Sequence, residues 1–288
     1  AKQNGLHAEI GDRAWAEHHK MGAFLAVAQG AGDEPRFVIL EHNRERDDLE
    51  TIVLVGKGVT FDTGGISLKP SADMGLMKSD MAGAAAVLGA MHVVGALDLP
   101  LRVIGLAPCT ENKPDADAYR PADVITVSNG KTIEIISTDA EGRMALADAL
   151  VYAQKYKPAA VIDLATLTGS CIIALGADVA AGMFVTSDEL RDQLLTAGTM
   201  TFERLWPLPL FKDYRETINS DVADMKNSGG RFGGVGTAAV FLQEFTDYTW
   251  AHLDIAGMAY SSKARPYSPK GATGYGVRLL TQFLQGRA

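Results

Sequence analysis

Cysteine is scarce in this sequence. Only two cysteines, Cys109 and Cys171, occur among 288 residues, and no CxxC pair is present. This argues against a disulfide framework, so we expect two buried, inert thiols in a reducing compartment. Residues 1–20 mix His, Glu, Asp and Lys without the apolar core of a secretory signal. We therefore expect a cytoplasmic protein.

Long apolar runs and an excess of positive charge are missing as well. The longest stretch without Lys, Arg, Asp or Glu is residues 81–97, rich in Ala and Gly and containing His92. It predicts a buried helix and not a membrane span. The formal net charge of −8 argues against broad nucleic-acid binding. It fits a site that gathers carboxylates around cations.

Several familiar site motifs are absent. The sequence contains neither the phosphate-binding pattern GxxxxGK[ST] nor a clean GxGxxG, which argues against nucleotide binding. The six histidines are scattered and no HExxH occurs, so a histidine-based zinc site is not expected.

Short β-branched runs alternate with helical patterns along the chain, which indicates an α/β fold. We predict a three-layer α/β/α sandwich around a central mixed, largely parallel sheet. The predicted strands are residues 37–40, 51–55, 101–106, 124–127, 132–136, 159–164, 181–185 and 250–255. The predicted helices are residues 12–29, 74–97, 144–156, 189–195, 235–245 and 275–284. Residues 227–236 contain five glycines and predict a mobile or closely approaching loop.

Three segments carry charged side chains next to predicted strand and helix ends. They are VGKGVTFDTGGISLKP (residues 55–70), MKSDMAGAAAV (77–87) and STDAEGR (137–143). The charged residues in question are Lys57, Asp62, Lys69, Asp80, Asp139, Glu141 and Arg143. Taken singly, the acidic residues could be helix caps and the lysines solvated loop residues.

Taken together, the four carboxylates indicate a metal site. Loops beyond the carboxyl ends of strands meet at one edge of an α/β sheet. Like charges brought together there must either take up protons or bind cations. Oxygen ligands of this number can hold two divalent ions roughly 3.5–4 Å apart.

These segments resemble hallmark motifs of the leucyl aminopeptidase family of two-zinc exopeptidases. The family pattern NTDAEGR is similar to STDAEGR at 137–143, and VGKGxxFDxGGxxxK and M[KR]xDMxGAA match at 55–69 and 77–85. Further matches are DLATLTG at 163–169, HLDIAG at 252–257 and GATG at 271–274. The resemblance covers essentially the whole chain, in the right order. It implies peptide substrates and hydrolysis of the N-terminal peptide bond.

The resemblance also implies a set of five ligands for two divalent ions, zinc or manganese: Lys57, Asp62, Asp80, Asp139 and Glu141. Asp62 and Glu141 would bridge both ions, Lys57 and Asp80 would belong to the tighter ion, and Asp139 to the more exchangeable one. A lysine ligand must be neutral although its free pKa is about 10.4. Two adjacent cations favour that form.

Lys69 and Arg143 match the two catalytic positions that are not ligands. A metal-bridged hydroxide would attack the scissile carbonyl, and Lys69 would stabilise the oxyanion. Arg143 would hold a bicarbonate that moves the proton of the water. The pocket for the first side chain maps to Met77, Thr166, Gly169 and Ala256, which predicts a preference for Leu- or Met-like residues.

The sequence departs from the family pattern at a few positions. Ser137 replaces Asn, Ser79 replaces a small apolar residue, and residues 113–117 read KPDAD where the family has MPSG. Family members carry a further N-terminal domain, so we expect residues 1–288 to form the catalytic domain alone. The resemblance implies a homo-hexamer. A dipeptidase acting on substrates such as Cys-Gly, and a non-catalytic DNA-binding or scaffold protein, stay open as alternatives.

Overall fold

The computed structural model describes residue 1 and residues 4–288, and strands and helices alternate along this part of the chain. The strands are β1 (His7–Gly11), β2 (Arg36–His42), β3 (Thr51–Gly56), β4 (Gly58–Asp62), β5 (Arg102–Asn112), β6 (Val124–Thr126), β7 (Thr132–Glu134), β8 (Ala160–Ala165), β9 (Ala181–Val185), β10 (Leu205–Pro207), β11 (Met225–Lys226), β12 (Trp250–Asp254), β13 (Tyr260–Ser261) and β14 (Gly271–Ala272). The α-helices are α1 (Arg13–His18), α2 (Gly22–Val27), α3 (Ala82–Leu97), α4 (Glu141–Ala153), α5 (Gly169–Leu175), α6 (Asp188–Thr201), α7 (Asp213–Glu216), α8 (Gly234–Gln243) and α9 (Val277–Gln285).

The central sheet has the strand order β1-β2-β5-β3-β8-β12-β9-β10, and β4 pairs with the far end of β5. Its middle strands β5, β3, β8 and β12 are parallel, while β2 and β9 run antiparallel to their inner neighbours. This confirms the predicted mixed, largely parallel sheet. The sequence of β3 is almost entirely apolar because both faces of the strand are buried. Val53 and Val55 pack in one core, and Ile52 and Leu54 pack in the other.

Helices cover both faces of this sheet, which confirms the three-layer α/β/α prediction. Residues of α2, α4 and α8 form one core with the first face. Residues of α3, α6 and α9 form a second core with the opposite face. The apolar side chains in both cores are almost completely removed from water, which supplies the main stabilisation of the fold.

The apolar stretch Met74–Leu97 is long and apolar enough to cross a membrane by length and composition, a test that a buried core helix also passes. Here it divides into a short 3-10 helix, Met74–Ser79, and α3. Helix α3 packs on β3, β5 and β8, as predicted for a buried helix. The packing is so close that a Cβ at Gly83 would lie 2.0 Å from the carbonyl oxygen of Leu164. Asp80 falls at the break between the two helices.

Some sequence predictions differ from the structure in detail. The predicted helix at 12–29 is interrupted, because Lys20 adopts φ 56° between α1 and α2. Asp12 is the N-cap of α1, since its side chain accepts from Trp15 N at 2.9 Å. The predicted strands at 124–127 and 132–136 form, as β6 and β7, a small separate sheet with β11. The sequence patterns did not predict strands β1, β4, β10, β11, β13 and β14 or helices α5 and α7.

The two thiols lie in different surroundings. Cys171 is buried, as predicted, whereas Cys109 is only half-buried. Burial raises the pKa of Cys109 to about 11 and that of Cys171 to about 12. Both groups therefore remain protonated and unreactive at neutral pH.

Candidate metal centre

Lys57 follows β3 directly, at the edge where β3 and β8 both end. Its backbone N–H donates to the carbonyl of Leu164 at 3.0 Å, which ties the two strand ends together. Its side chain is buried, and Nζ lies 2.9 Å from Asp80 Oδ2 and 2.7 Å from Glu141 Oε1. Nζ also donates to the carbonyl oxygen of Thr166 at 3.0 Å. One ammonium thus joins the loop after β3, the start of α3 and the start of α4.

Lys69 enters the same cavity from a glycine-rich turn. Gly64 and Gly65 have φ values of 88° and 66°, which other residues rarely adopt, and the chain reverses there. Lys69 Nζ lies 2.8 Å from Asp62 Oδ2 and also pairs with Asp139 Oδ1. The two lysines, twelve positions apart in the sequence, are therefore brought together as the motif predicted.

The carboxylates converge on one point. Oxygen atoms of Asp62, Asp139 and Glu141 lie within 4.8 Å of one another. Burial raises the pKa of Asp80 well above its usual value, and the charges of Glu141 and Asp62 add to the rise, although Lys57 opposes it. Burial likewise raises the pKa of Asp139 to about 6. The four carboxylates outnumber the two lysine ammonium groups that pair with them, as expected of a site that binds cations.

The two ammonium groups are held by this same charge. Burial lowers the pKa of Lys57, but the carboxylates of Asp80, Glu141 and Asp62 raise it by more, so the net shift is upward. The pKa of Lys69 is raised in the same way, chiefly by Asp62. Each lysine thus lies between two carboxylates, as a metal cation would. The donor set, four carboxylates and an amine, fits divalent zinc or manganese.

Neutral residues that the motifs did not reveal hold the acidic loops together. Asn112, at the end of β5, donates to Asp62 Oδ1 at 2.8 Å and to the carbonyl of Thr138 at 3.0 Å. The Thr138 hydroxyl donates to the carbonyl of Gly64 at 2.6 Å and accepts from Ser67 N at 2.8 Å. These hydrogen bonds therefore hold the turn after Asp62 against the neighbouring 137–139 loop.

Arg143 lies in the first turn of α4, with its side chain buried. Its Nη1 donates to the carbonyl of Asn227 at 2.8 Å. Its Nε has no hydrogen-bond partner among the residues that the structure describes. Burial lowers the pKa of Arg143 to about 10, so the group remains cationic at neutral pH. A buried guanidinium that lines the cavity suits a small anion.

Asn227 braces the loop before Asp139. Its Oδ1 accepts from Ile136 N at 2.8 Å and from Ser137 N at 3.3 Å, and its Nδ2 donates to the carbonyl of Ser137 at 2.7 Å. Ser137 itself supports the loop, because its hydroxyl accepts from Asp139 N at 3.2 Å. The serine that departs from the family pattern therefore still contributes an acceptor.

All the predicted site residues line one cavity of about 450 Å³. Its wall includes Lys57, Asp62, Lys69, Met77, Asp80, Asp139, Glu141, Arg143, Thr166, Gly169 and Ala256. The glycine-rich segment contributes Ser228, Gly230 and Gly234. A Cβ at Gly234 would lie 2.5 Å from Ser170 Oγ, so the segment approaches α5 closely at that residue. Ile172 and Tyr260 also line the cavity but were not predicted. Within the described part of the chain, no histidine belongs to this wall.

Comparison with known proteins gives matches over nearly the whole chain. Residues 1–281 match the cytosol aminopeptidase family, catalytic domain. A probable cytosol aminopeptidase of Geobacter sulfurreducens is 54% identical over 282 residues, which is 98% of this chain and 57% of that protein. Its counterpart of the same name in Geotalea uraniireducens is 52% identical over 99% of this chain and 58% of that protein. A third, from Roseiflexus castenholzii, is 53% identical over 92% of this chain and 54% of that protein. The chain thus spans little more than half the length of these relatives.

Proposed function

The chain belongs to the cytosol aminopeptidase family, and from that premise we propose that it is the catalytic domain of a two-metal aminopeptidase. Its substrates would be peptides with an N-terminal Leu- or Met-like residue. The observation that carries the proposal is the convergence of five donor side chains in one cavity. They are Lys57, Asp62, Asp80, Asp139 and Glu141.

These five residues would hold two divalent ions, zinc or manganese. The oxygens of Asp62, Asp139 and Glu141 lie within 4.8 Å of one another, so these three residues could hold ions together. Lys57 contacts Asp80 and Glu141, which places the amine and the fourth carboxylate beside them. When bound, the ions would supply Lewis acidity and lower the pKa of a coordinated water.

Lys69 and Arg143 would act on the substrate without being ligands. Lys69 is the more exposed of the two lysines and would donate a hydrogen bond to the scissile carbonyl oxygen as negative charge develops there. Arg143 presents its cationic guanidinium to the cavity wall and would hold bicarbonate. A bicarbonate bound by Arg143 would supply a proton acceptor at this wall of the cavity.

The side-chain preference would come from the small and flexible residues of the wall. Met77, Thr166, Gly169 and Ala256 all face the cavity beside the acidic cluster. Their volumes leave room for a medium-sized apolar side chain, and methionine adapts its shape to the occupant. The free α-amine of a peptide is a further donor that an internal peptide bond lacks, which favours attack at the N-terminus.

We also propose a cellular location and an oligomeric state for the enzyme. Its relatives are named cytosol aminopeptidases, which supports a cytoplasmic location. The family resemblance supports a homo-hexamer, with no membrane or nucleic-acid partner for this domain. Light scattering of the purified chain tests the assembly, and a monomeric mass would contradict it.

The activity is tested by chelation and reconstitution. After exhaustive chelation the protein should not hydrolyse leucine p-nitroanilide, and Zn²⁺ or Mn²⁺ should restore the rate. An Asp80→Asn variant should need a higher metal concentration, whereas Asp148→Asn, which removes a buried carboxylate that is not part of the cavity wall, should not. Full activity after chelation would refute the metal mechanism, and faster turnover of Cys-Gly than of leucyl substrates would identify a dipeptidase.

A further inference from the structure

Asp254 lies at the end of β12 and is completely buried, yet it is not among the predicted ligands or catalytic residues. We propose that Asp254 is a positioning residue that locks two walls of the cavity together and so sets the selectivity for the first side chain of the peptide. The proposal rests on the function proposed above, whose pocket it refines.

The carboxylate of Asp254 binds two separate segments through neutral donors. Its Oδ1 accepts from the backbone N–H groups of Leu167 at 3.2 Å, Thr168 at 3.4 Å and Ala256 at 3.2 Å. Its Oδ2 accepts from the Thr168 hydroxyl at 2.7 Å. In the chain as described, no lysine or arginine forms an ion pair with it. All four donors come from the loop after β8 and the loop after β12.

Both loops supply cavity wall. The first loop contributes Thr166 and Thr168 and leads into Gly169 of α5, and the second contributes Ala256 and Ala259 and leads into Tyr260 of β13. Beyond the pairing of β8 with β12, which ends at Ala165 and Asp254, this carboxylate holds the first loop against the end of β12. The distance between the two loops decides how large a side chain the pocket accepts.

Thr166 and Thr168 connect Asp254 to the predicted metal ligands. The Thr168 hydroxyl, which donates to Asp254, also accepts from Cys171 N at 3.0 Å and so caps α5. Thr166 donates from its hydroxyl to Asp80 Oδ1 at 2.8 Å and accepts from Lys57 through its carbonyl. The loop is thereby held at both ends, at the acidic cluster by Thr166 and at β12 by Asp254.

A carboxylate meets this need more fully than an amide. Asp254 accepts the three backbone N–H groups with Oδ1 and the Thr168 hydroxyl with Oδ2. An asparagine would keep one oxygen for the N–H groups but turn its NH₂ group toward the Thr168 hydroxyl, so the negative charge and the bond that Thr168 donates would both be lost. A buried carboxylate without a cationic partner carries a large desolvation penalty. Burial accordingly raises the pKa of Asp254, while His252 and the hydrogen bonds lower it. Such a group is kept where its geometry matters.

The test compares Asp254→Asn with Asp148→Asn. Asp148 is equally buried and accepts from Phe24 N at 2.9 Å and Ser128 N at 2.8 Å, but it is not part of the cavity wall. Hydrogen exchange followed by mass spectrometry should show lost protection at Leu167, Thr168 and Ala256 in Asp254→Asn only. The ratio of kcat/KM for leucine over alanine p-nitroanilide should fall roughly tenfold, the lower end of what a pocket gains from one methylene. It should fall through KM, with metal content retained.

Thr168→Val and Thr168→Ser provide a second pair if Asp254→Asn does not fold. Valine removes the hydroxyl that bonds Asp254, whereas serine keeps it, so only valine should lose the leucine preference. Unchanged protection and an unchanged selectivity ratio in the Asp254→Asn or Thr168→Val variant would overturn the proposal. If the parent protein hydrolyses neither substrate, the proposed function fails, while the exchange experiment still decides whether Asp254 joins the loops.

Discussion

The narrowest fit in the acidic cluster is between Lys57 and Gly142, and a Gly142→Ala substitution tests it. A Cβ at position 142 would lie 2.5 Å from Cε, 2.6 Å from Nζ and 2.7 Å from Cδ of Lys57. Ordinary carbon contacts are about 3.5–4.0 Å, so the side chain would have to retreat by roughly 1 Å. Its contacts with Asp80 and Glu141, at 2.9 and 2.7 Å, would not survive that movement.

The magnitude follows from two opposing effects on the free energy of unfolding. Alanine in a helix is favoured over glycine by roughly 0.5–1 kcal/mol. Overpacking a dense interior costs about 1–3 kcal/mol. We therefore expect a net destabilisation of about 1–2 kcal/mol, which in a chain of this size lowers Tm by roughly 2–6 °C. Because Lys57 is displaced, metal affinity should fall at least about 10-fold.

The assay is a zinc or manganese titration of the metal-free protein together with its thermal unfolding. Gly75→Ala is the control, because a Cβ at Gly75 meets nothing within 4 Å. It should leave metal affinity unchanged. If Gly142→Ala raises Tm, as a free helical glycine would, and binds metal like the parent protein, the proposed packing of Lys57 over α4 is refuted.

Three further substitutions test other parts of the site. Lys69→Ala should lower kcat about 10²–10³-fold with two ions retained, because it removes a donor to the developing oxyanion; a rate within about tenfold of the parent would exclude that role. Asn227→Ala should lower both Tm and kcat, since three hydrogen bonds to the 136–137 backbone are lost, whereas the exposed Asn219→Ala should change neither. Ala256→Leu should raise KM for leucine p-nitroanilide more than for the alanine substrate, and equal effects on both would remove Ala256 from the pocket.

The layered architecture was predictable because its elements have strong local patterns. Strand β3 reads as an unbroken apolar run, since both its faces are covered, and such runs announce buried parallel strands. The break at Lys20 was not predictable, because a positive φ in a lysine leaves no mark on the apolar pattern. The same is true of the small sheet of β6, β7 and β11, which depends on contacts between distant segments.

The site residues also divide into those that the sequence predicts and those that it does not. The charged residues stand out because they occur next to glycines at strand ends, and family resemblance assigns them roles. The residues that hold the cavity loops in place could not be found that way. Asn112, Asn227 and Asp254 are ordinary polar residues in the sequence, and only the fold shows that each is buried and bonded to a loop of the cavity. Their partners are mostly backbone groups, which leave no sequence signal.

The proposed function requires this cavity to hold two cations. Anomalous diffraction from crystals of the protein soaked in Mn²⁺ measures this directly. We expect two peaks, both next to the carboxylates of Asp62 and Glu141, with Lys57 and Asp80 beside one of them and Asp139 beside the other. A cavity without anomalous density, or manganese bound only elsewhere on the protein, would contradict the account.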